Sequence, residues 1–120
     1  MKREYRLFIE DILECIVKIE EFTKGMVFKE FVKDDKTKSA VVHKLEIIGE
    51  ATKNIPKHIK ALYKEVPWSD MAKMRDKLSH WYFGIRHEIV WNVVKERLPE
   101  IKPVIEKMLK ELNDRTESEL

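Results

Sequence analysis

Residues 74–84 read MRDKLSHWYFG, and how this stretch winds decides both the fold and the site. At about 100° per residue, Met71, Met74, Leu78, Trp81 and Ile85 fall within one stripe roughly 80° wide. That stripe is the core-facing seam of a helix, and Gly84 is a natural stop because glycine accepts left-handed backbone. Beside the seam, Arg75 and Tyr82 are seven apart and stack along nearly one line. His80 is five from Arg75 and so points about 140° away. Asp76 and His80 are four apart and can meet on the helix surface. On one straight helix, Arg75 and His80 cannot converge on a single small group. A deformation near Gly84, a second element or a second chain must complete any site they share. A symmetric dimer that pairs two such helices could set one chain's Arg75 near the other's His80. By spacing alone, an ordinary surface Arg and His remain the simpler reading.

The same helical rhythm extends in both directions. A first helix is expected over residues 2–23, with Tyr5, Phe8, Ile9, Ile12, Ile16 and Ile19 inward and Gly25 as its stop. A short amphipathic piece, residues 28–32, follows. Asp34 or Asp35 can cap the next helix by accepting backbone N–H bonds. That helix runs to about Asn54 with Val41, Leu45, Ile48 and Ala51 inward. Gly49 inside it costs about 1 kcal/mol relative to alanine, which close approach of a neighbouring helix would explain. Pro56 opens a short helix over residues 57–64. Ser69 is a good cap for the helix over residues 70–83. A last helical region begins near Ile85, is interrupted at Pro99, and turns Val90, Val94, Leu98, Ile101, Ile105, Met108 and Leu112 inward. The expected fold is all-α, an antiparallel up-and-down bundle of four main helices with one or two short ones. One domain over residues 1–113 ends in a polar tail, residues 114–120.

The 120 residues are 43% hydrophobic and 38% charged, with a formal net charge of +2. That is a folded, charge-rich chain whose mildly basic balance permits nucleic-acid contact without announcing it. Three glycines and four prolines leave little room for tight hairpins. The single cysteine, Cys15, excludes an intrachain disulfide and reads as a small buried hydrophobe. The opening MKREYRLFIED lacks the apolar stretch of a signal peptide, and no run approaches the roughly 20 apolar residues of a membrane span, so the cytoplasm is the expected location.

MRDKLSHWYFG resembles the R-x4-H-x-Y signature of the HEPN superfamily, in particular the HepT-like toxins. Residues 45–51, LEIIGEA, are similar to that family's helix of the same sequence. Pro67-Trp68 resembles the segment leading into the motif, Glu88-Ile89-Val90-Trp91 the segment after it, and Leu98-Pro99-Glu100 the later break. Several blocks in the right order, over nearly the whole chain, make the likeness specific. It implies a helical bundle that dimerises, or assembles further, with two R-x4-H motifs facing one another in a cleft. It implies a metal-independent ribonuclease, the toxin of a type VII-like toxin–antitoxin pair, with tRNA or mRNA as candidate substrates. The implied partner is an MntA-type nucleotidyltransferase antitoxin that transfers AMP onto the motif tyrosine. By residue, Arg75 carries the phosphate-binding arginine, His80 the histidine and Tyr82 the modified tyrosine. Asp76, Ser79, Arg86, Glu50 and Lys77 are expected to line the site or touch RNA. The chain departs from many relatives in having Asp76 rather than asparagine after the motif arginine, and Arg86-His87 where a capping Asp or Asn is common.

The chemistry suits these residue types. RNA supplies its own nucleophile in the 2′-hydroxyl. A histidine with an ordinary pKa near 6.5 can move protons near neutral pH. An arginine offers a planar fork of donors matched to phosphate oxygens. Other constellations carry less. His43, Glu46 and Glu50 share a helix stripe with metal-like spacing, but a solvated face is the better reading, and neither metal nor cofactor is expected. Trp68, Trp81 and Trp91 could stack on bases, although packing suits Trp81 and Trp91 better. Lys73, Lys77 and Arg86 could follow an RNA backbone. The rival function is a non-catalytic helical module that docks a nucleotidyltransferase through the same bundle. Such a docking face would not require Arg75 and His80 together.

Overall fold

A computed structural model describes the backbone of residues 4–83 and 86–114, and the side chains of the same span except those of residues 79–83. Among the described residues every regular element is helical: α1 (Tyr5–Thr23), α2 (Phe28–Lys33), α3 (Asp35–Lys53), α4 (Lys57–Lys60), α5 (Trp68–Ala72), α6 (Met74–Phe83), α7 (His87–Asn92), a π-helical turn (Val93–Arg97) and α8 (Leu98–Asn113). The all-α expectation holds, and the buried side chains form one connected core. α1 lies against α3 and α8, while the other side of α3 carries α5 and α6.

Local chemistry sets several boundaries. Gly25 adopts φ +75°, the left-handed conformation that ends α1 without a Cβ penalty. Asp34 caps α3: its carboxylate accepts the Thr37 backbone N–H at 3.0 Å and the Thr37 hydroxyl at 2.7 Å. Those bonds favour the ionised form and hold the Asp34 carboxyl below its usual range. Ile9, Ile12, Ile16 and Ile19 are fully buried along α1, and Val41, Leu45 and Ile48 along α3. Cys15 is buried too, and burial raises its thiol pKa to about 11.

Three expectations need correction. The helix expected over residues 57–64 is a single turn, Lys57–Lys60. After it the chain tightens, with Leu62 N–H donating to Ile59 and Tyr63 N–H to Lys60. The Trp68 indole N–H reaches the carbonyls of Lys60 and Tyr63 at 3.1 and 3.0 Å, so those carbonyls serve the tertiary fold rather than a longer helix. Second, Ser69 is not the cap of the motif helix. α5 begins at Trp68 behind Pro67 and gives way at Lys73 to α6. The break lies where this segment crosses α3. Third, the last region is not interrupted at Pro99. Pro99 sits in the first turn of α8, where a missing N–H costs least, and the irregular turn is the π-helical Val93–Arg97 just before it. A proline at position 99 cannot donate to the Lys95 carbonyl, so an ordinary α-turn would lose that bond in any case. α8 runs through Pro103 and buries Leu98, Ile101, Ile105, Met108 and Leu112.

Gly49 explains how the motif helix is seated. A Cβ at this position would stand 3.1 Å from the Met71 carbonyl oxygen, 3.3 Å from the Met74 Cβ and 3.4 Å from the Arg75 backbone nitrogen. The backbones of α3 and the α5–α6 junction touch, as only glycine allows. The expected close approach is therefore present, and its partner is the segment that carries Arg75.

Candidate functional site

α6 presents the motif. Met71, Met74 and Leu78 are buried and fix the inward face of α5–α6. Arg75 lies one residue beyond Met74 and comes out beside α3. Its Nη1 donates to Glu50 Oε1 at 3.1 Å, with both side chains more than half exposed. Glu50 follows Gly49, so the contact that brings the backbones together also sets the carboxylate beside the guanidinium. An ion pair this exposed is worth roughly 0–1 kcal/mol. It orients Arg75 while leaving much of the fork open to another anion.

Of the other expected residues, Asp76 and Lys77 are exposed on α6, and Lys77 Nζ lies 3.8 Å from Asp70 Oδ1. Arg86 is exposed at the start of α7, where no side chain caps the helix, in line with the absent Asp or Asn at this point. His87 Nε2 lies 3.5 Å from Lys38 Nζ, which in turn pairs with Asp35 at 3.1 Å. The side chains of Ser79, His80, Trp81 and Tyr82 lie outside the described residues. The backbone of α6 is nevertheless one continuous helix from position 74 to 83. Positions 75 and 80 are therefore about 140° apart around it, and positions 75 and 82 nearly in line. The structure brings Arg75 and Glu50 together; nothing in one copy of α6 turns position 80 toward Arg75.

The remaining candidates separate cleanly. Trp91 packs on Phe31 with ring centroids 4.9 Å apart and on Phe28 at 6.2 Å, and Lys95 sits over its face. It anchors α7 to α2. Trp68 is half-buried with its N–H spent on the loop before α5. Glu50, one member of the His43–Glu46–Glu50 stripe, instead meets Arg75, and among the described residues no group of three His, Cys, Asp or Glu could hold a metal. Among the described residues, no helix is long and apolar enough to cross a membrane. A cavity of about 410 Å³ opens beside α6, with Met74 and Lys77 on one wall and Arg97 and Ile101 on the other, but Arg75 does not line it. Lys57, Lys60 and Lys64, whose regular spacing is visible in the sequence, gather on one groove that no motif marks.

The chain is similar to proteins of one family. Residues 12–108 match the family model described as ribonuclease HepT-like. The chain belongs to the HepT-like family of the HEPN superfamily. It is 51% identical over 110 residues to a protein of Thermococcus cleftensis named probable ribonuclease HepT, an alignment covering 92% of this chain and all of that one. Two Methanocaldococcus jannaschii proteins named as candidate RNases are each 44% identical over 119 residues, covering 99% of this chain and 98% of theirs. No solved structure matches the chain.

Proposed function

We propose that this chain is a metal-independent endoribonuclease that works as a dimer across two R-x4-H motifs. The observation that carries the reading is Arg75: a half-exposed guanidinium on a helix seated by backbone contact at Gly49, inside a HepT-like chain. The angular separation of positions 75 and 80 supports the dimer. If both groups act on one phosphate, Arg75 of one chain and His80 of the other supply them.

In this mechanism the 2′-oxygen attacks the adjacent phosphorus, a new O–P bond forms, and the bond from phosphorus to the 5′-oxygen breaks. A His80 imidazole accepts the 2′-hydroxyl proton, and the other imidazole, in its protonated form, delivers a proton to the departing 5′-oxygen. Arg75 donates to the non-bridging oxygens as their charge grows. The products are a 2′,3′-cyclic phosphate and a 5′-hydroxyl. Asp76, one turn before His80, would orient the ring. Lys77 and Arg86 would contact the strand on either side, and Ser79 would line the cleft. The proposed regulation rests on Tyr82, which shares Arg75's line on the helix. A nucleotidyltransferase antitoxin would join its oxygen to the α-phosphorus of ATP with loss of pyrophosphate. The added phosphate and adenosine would then occupy the substrate's place by charge and bulk. Toxin action in the cytoplasm against tRNA or mRNA, by a single domain over residues 1–113, completes the reading.

RNA cleavage by the purified wild type, His80→Ala and Arg75→Ala tests it. Loss of cleavage by several orders of magnitude in both variants, with cyclic-phosphate ends in the wild type, is the expected result. Equal cleavage in all three would assign the signal to contamination and leave the docking-module function as the better account.

A further inference from the structure

Away from Arg75, the turn after α3 and the start of α5 enclose a shallow groove of about 450 Å³. Lys57, Lys60 and Lys64 line it, with Trp68 and Pro67 as an apolar wall. Lys57 and Lys64 are exposed and Lys60 is half-buried, and among the described residues none of the three has an ion pair. The one carboxylate on the groove, Asp70, already faces Lys77 at 3.8 Å. Burial, and after it the neighbouring Lys57 charge, lowers the pKa of the Lys60 ammonium.

The groove is fixed to the motif helix. The Trp68 indole N–H holds the Lys60 and Tyr63 carbonyls, which ties the lysine-bearing turn to α5. Trp68 opens α5 and Arg75 stands in the first turn of α6, seven residues on, with the break at Lys73 between them. On the other side, α3 leads from Glu50, the partner of Arg75, to Lys53 and on to Lys57. Two segments therefore connect the groove to Arg75 along the chain.

We infer that this groove holds the phosphodiester backbone of single-stranded RNA that runs on to Arg75. Three ammonium groups with no ion pair among the described residues suit evenly spaced phosphates in any sequence, and Trp68 offers an apolar edge to the bases. The inference takes its direction from the ribonuclease function, but its test needs no cleavage.

The test measures binding of a fluorescent 12-nucleotide RNA by anisotropy as salt is varied, in a His80→Ala background so that the RNA stays intact. Each lost phosphate contact lowers the slope of log affinity against log salt by about 0.7, so Lys57→Gln/Lys60→Gln/Lys64→Gln should lower it by about 2 and weaken binding about a hundredfold at 0.1 M salt. Lys57→Glu/Lys64→Glu changes only the exposed pair, which protects the fold, and should weaken binding further per residue changed. Affinity and slope unchanged within twofold in both variants overturns the inference. Lysine-dependent binding to anionic vesicles without lysine-dependent RNA binding overturns it in favour of a membrane surface. If the wild type cleaves no RNA but its RNA affinity depends on these lysines, the groove stands and the ribonuclease function falls. Cleavage with lysine-independent affinity has the opposite meaning.

Discussion

Gly49 should tolerate alanine badly and valine worse, although either replacement removes a glycine from the interior of a helix. The helix gains about 1 kcal/mol when glycine becomes alanine. Against that, the new Cβ would meet the Met71 carbonyl oxygen at 3.1 Å, the Met74 Cβ at 3.3 Å and the Arg75 nitrogen at 3.4 Å. None of these atoms is the far end of a flexible side chain, so relief requires α5 and α6 to move off α3 by about 0.3 Å. Overpacking of this kind costs about 1–3 kcal/mol. The balance for Gly49→Ala lies between neutral and about 2 kcal/mol of destabilisation. Valine brings two more methyl groups and poorer helix propensity, which places Gly49→Val near 3 kcal/mol or above. Urea unfolding followed by circular dichroism reads both. Because the shift moves Arg75 away from Glu50, and about 1 Å of misplacement can cost a hundredfold in rate, RNA cleavage should fall several-fold in Gly49→Ala. If Gly49→Ala is instead more stable by the full helix-propensity gain, the two backbones do not touch and the seating of the motif helix is wrong.

Glu50→Gln should tighten RNA binding a few-fold and steepen its salt dependence, because the carboxylate 3.1 Å from Arg75 screens the guanidinium from phosphate; weaker binding would instead make Glu50 a positioning group. Its effect on stability should stay below about 1 kcal/mol, as for other exposed pairs. Trp91→Ala should cost about 2 kcal/mol in urea unfolding, less than a fully buried tryptophan because Trp91 is half-buried between Phe28 and Phe31; a loss under 0.5 kcal/mol would mean the cluster does not anchor α7. Asp34→Ala should lower the melting temperature at neutral pH by removing the cap of α3. Since the folded-state carboxyl titrates below its ordinary value of 3.8, its stabilisation is complete above that pH and is lost as pH falls through the folded value. The gap between wild type and variant should therefore close in acid, and a gap that persists at pH 2 would place the effect elsewhere.

Much of the fold was legible because periodicity reports directly on burial. Ile9, Ile12, Ile16 and Ile19 stand three and four apart and are fully buried. Gly25 and Asp34 were legible for another reason: a left-handed stop and a carboxylate cap need particular side chains. Periodicity says which face is inward, but not where a helix bends. The break at Lys73 lies where the segment meets α3, and Gly49, 24 positions earlier, marks that contact. The 57–64 segment has helical spacing, but its carbonyls are claimed by Trp68, a competitor from outside the segment. The π turn was hidden because Val90, Val94 and Leu98 step by four in either kind of helix. At the site, the motif was readable as a string and its angular conflict as arithmetic. The Arg75–Glu50 pair, 25 residues apart, and the walls of the lysine groove depend on chain crossings that no local spacing encodes.

The buried thiol of Cys15 has a practical consequence. It is the sole cysteine, and its pKa near 11 leaves almost no thiolate at neutral pH. To an alkylating reagent the native surface is blank. A cysteine introduced at an exposed position could therefore carry a dye or spin label alone, without Cys15 being replaced. The native residue would meanwhile serve as an internal clock, its slow alkylation counting the moments when α1 lifts from α3 and the interior meets solvent.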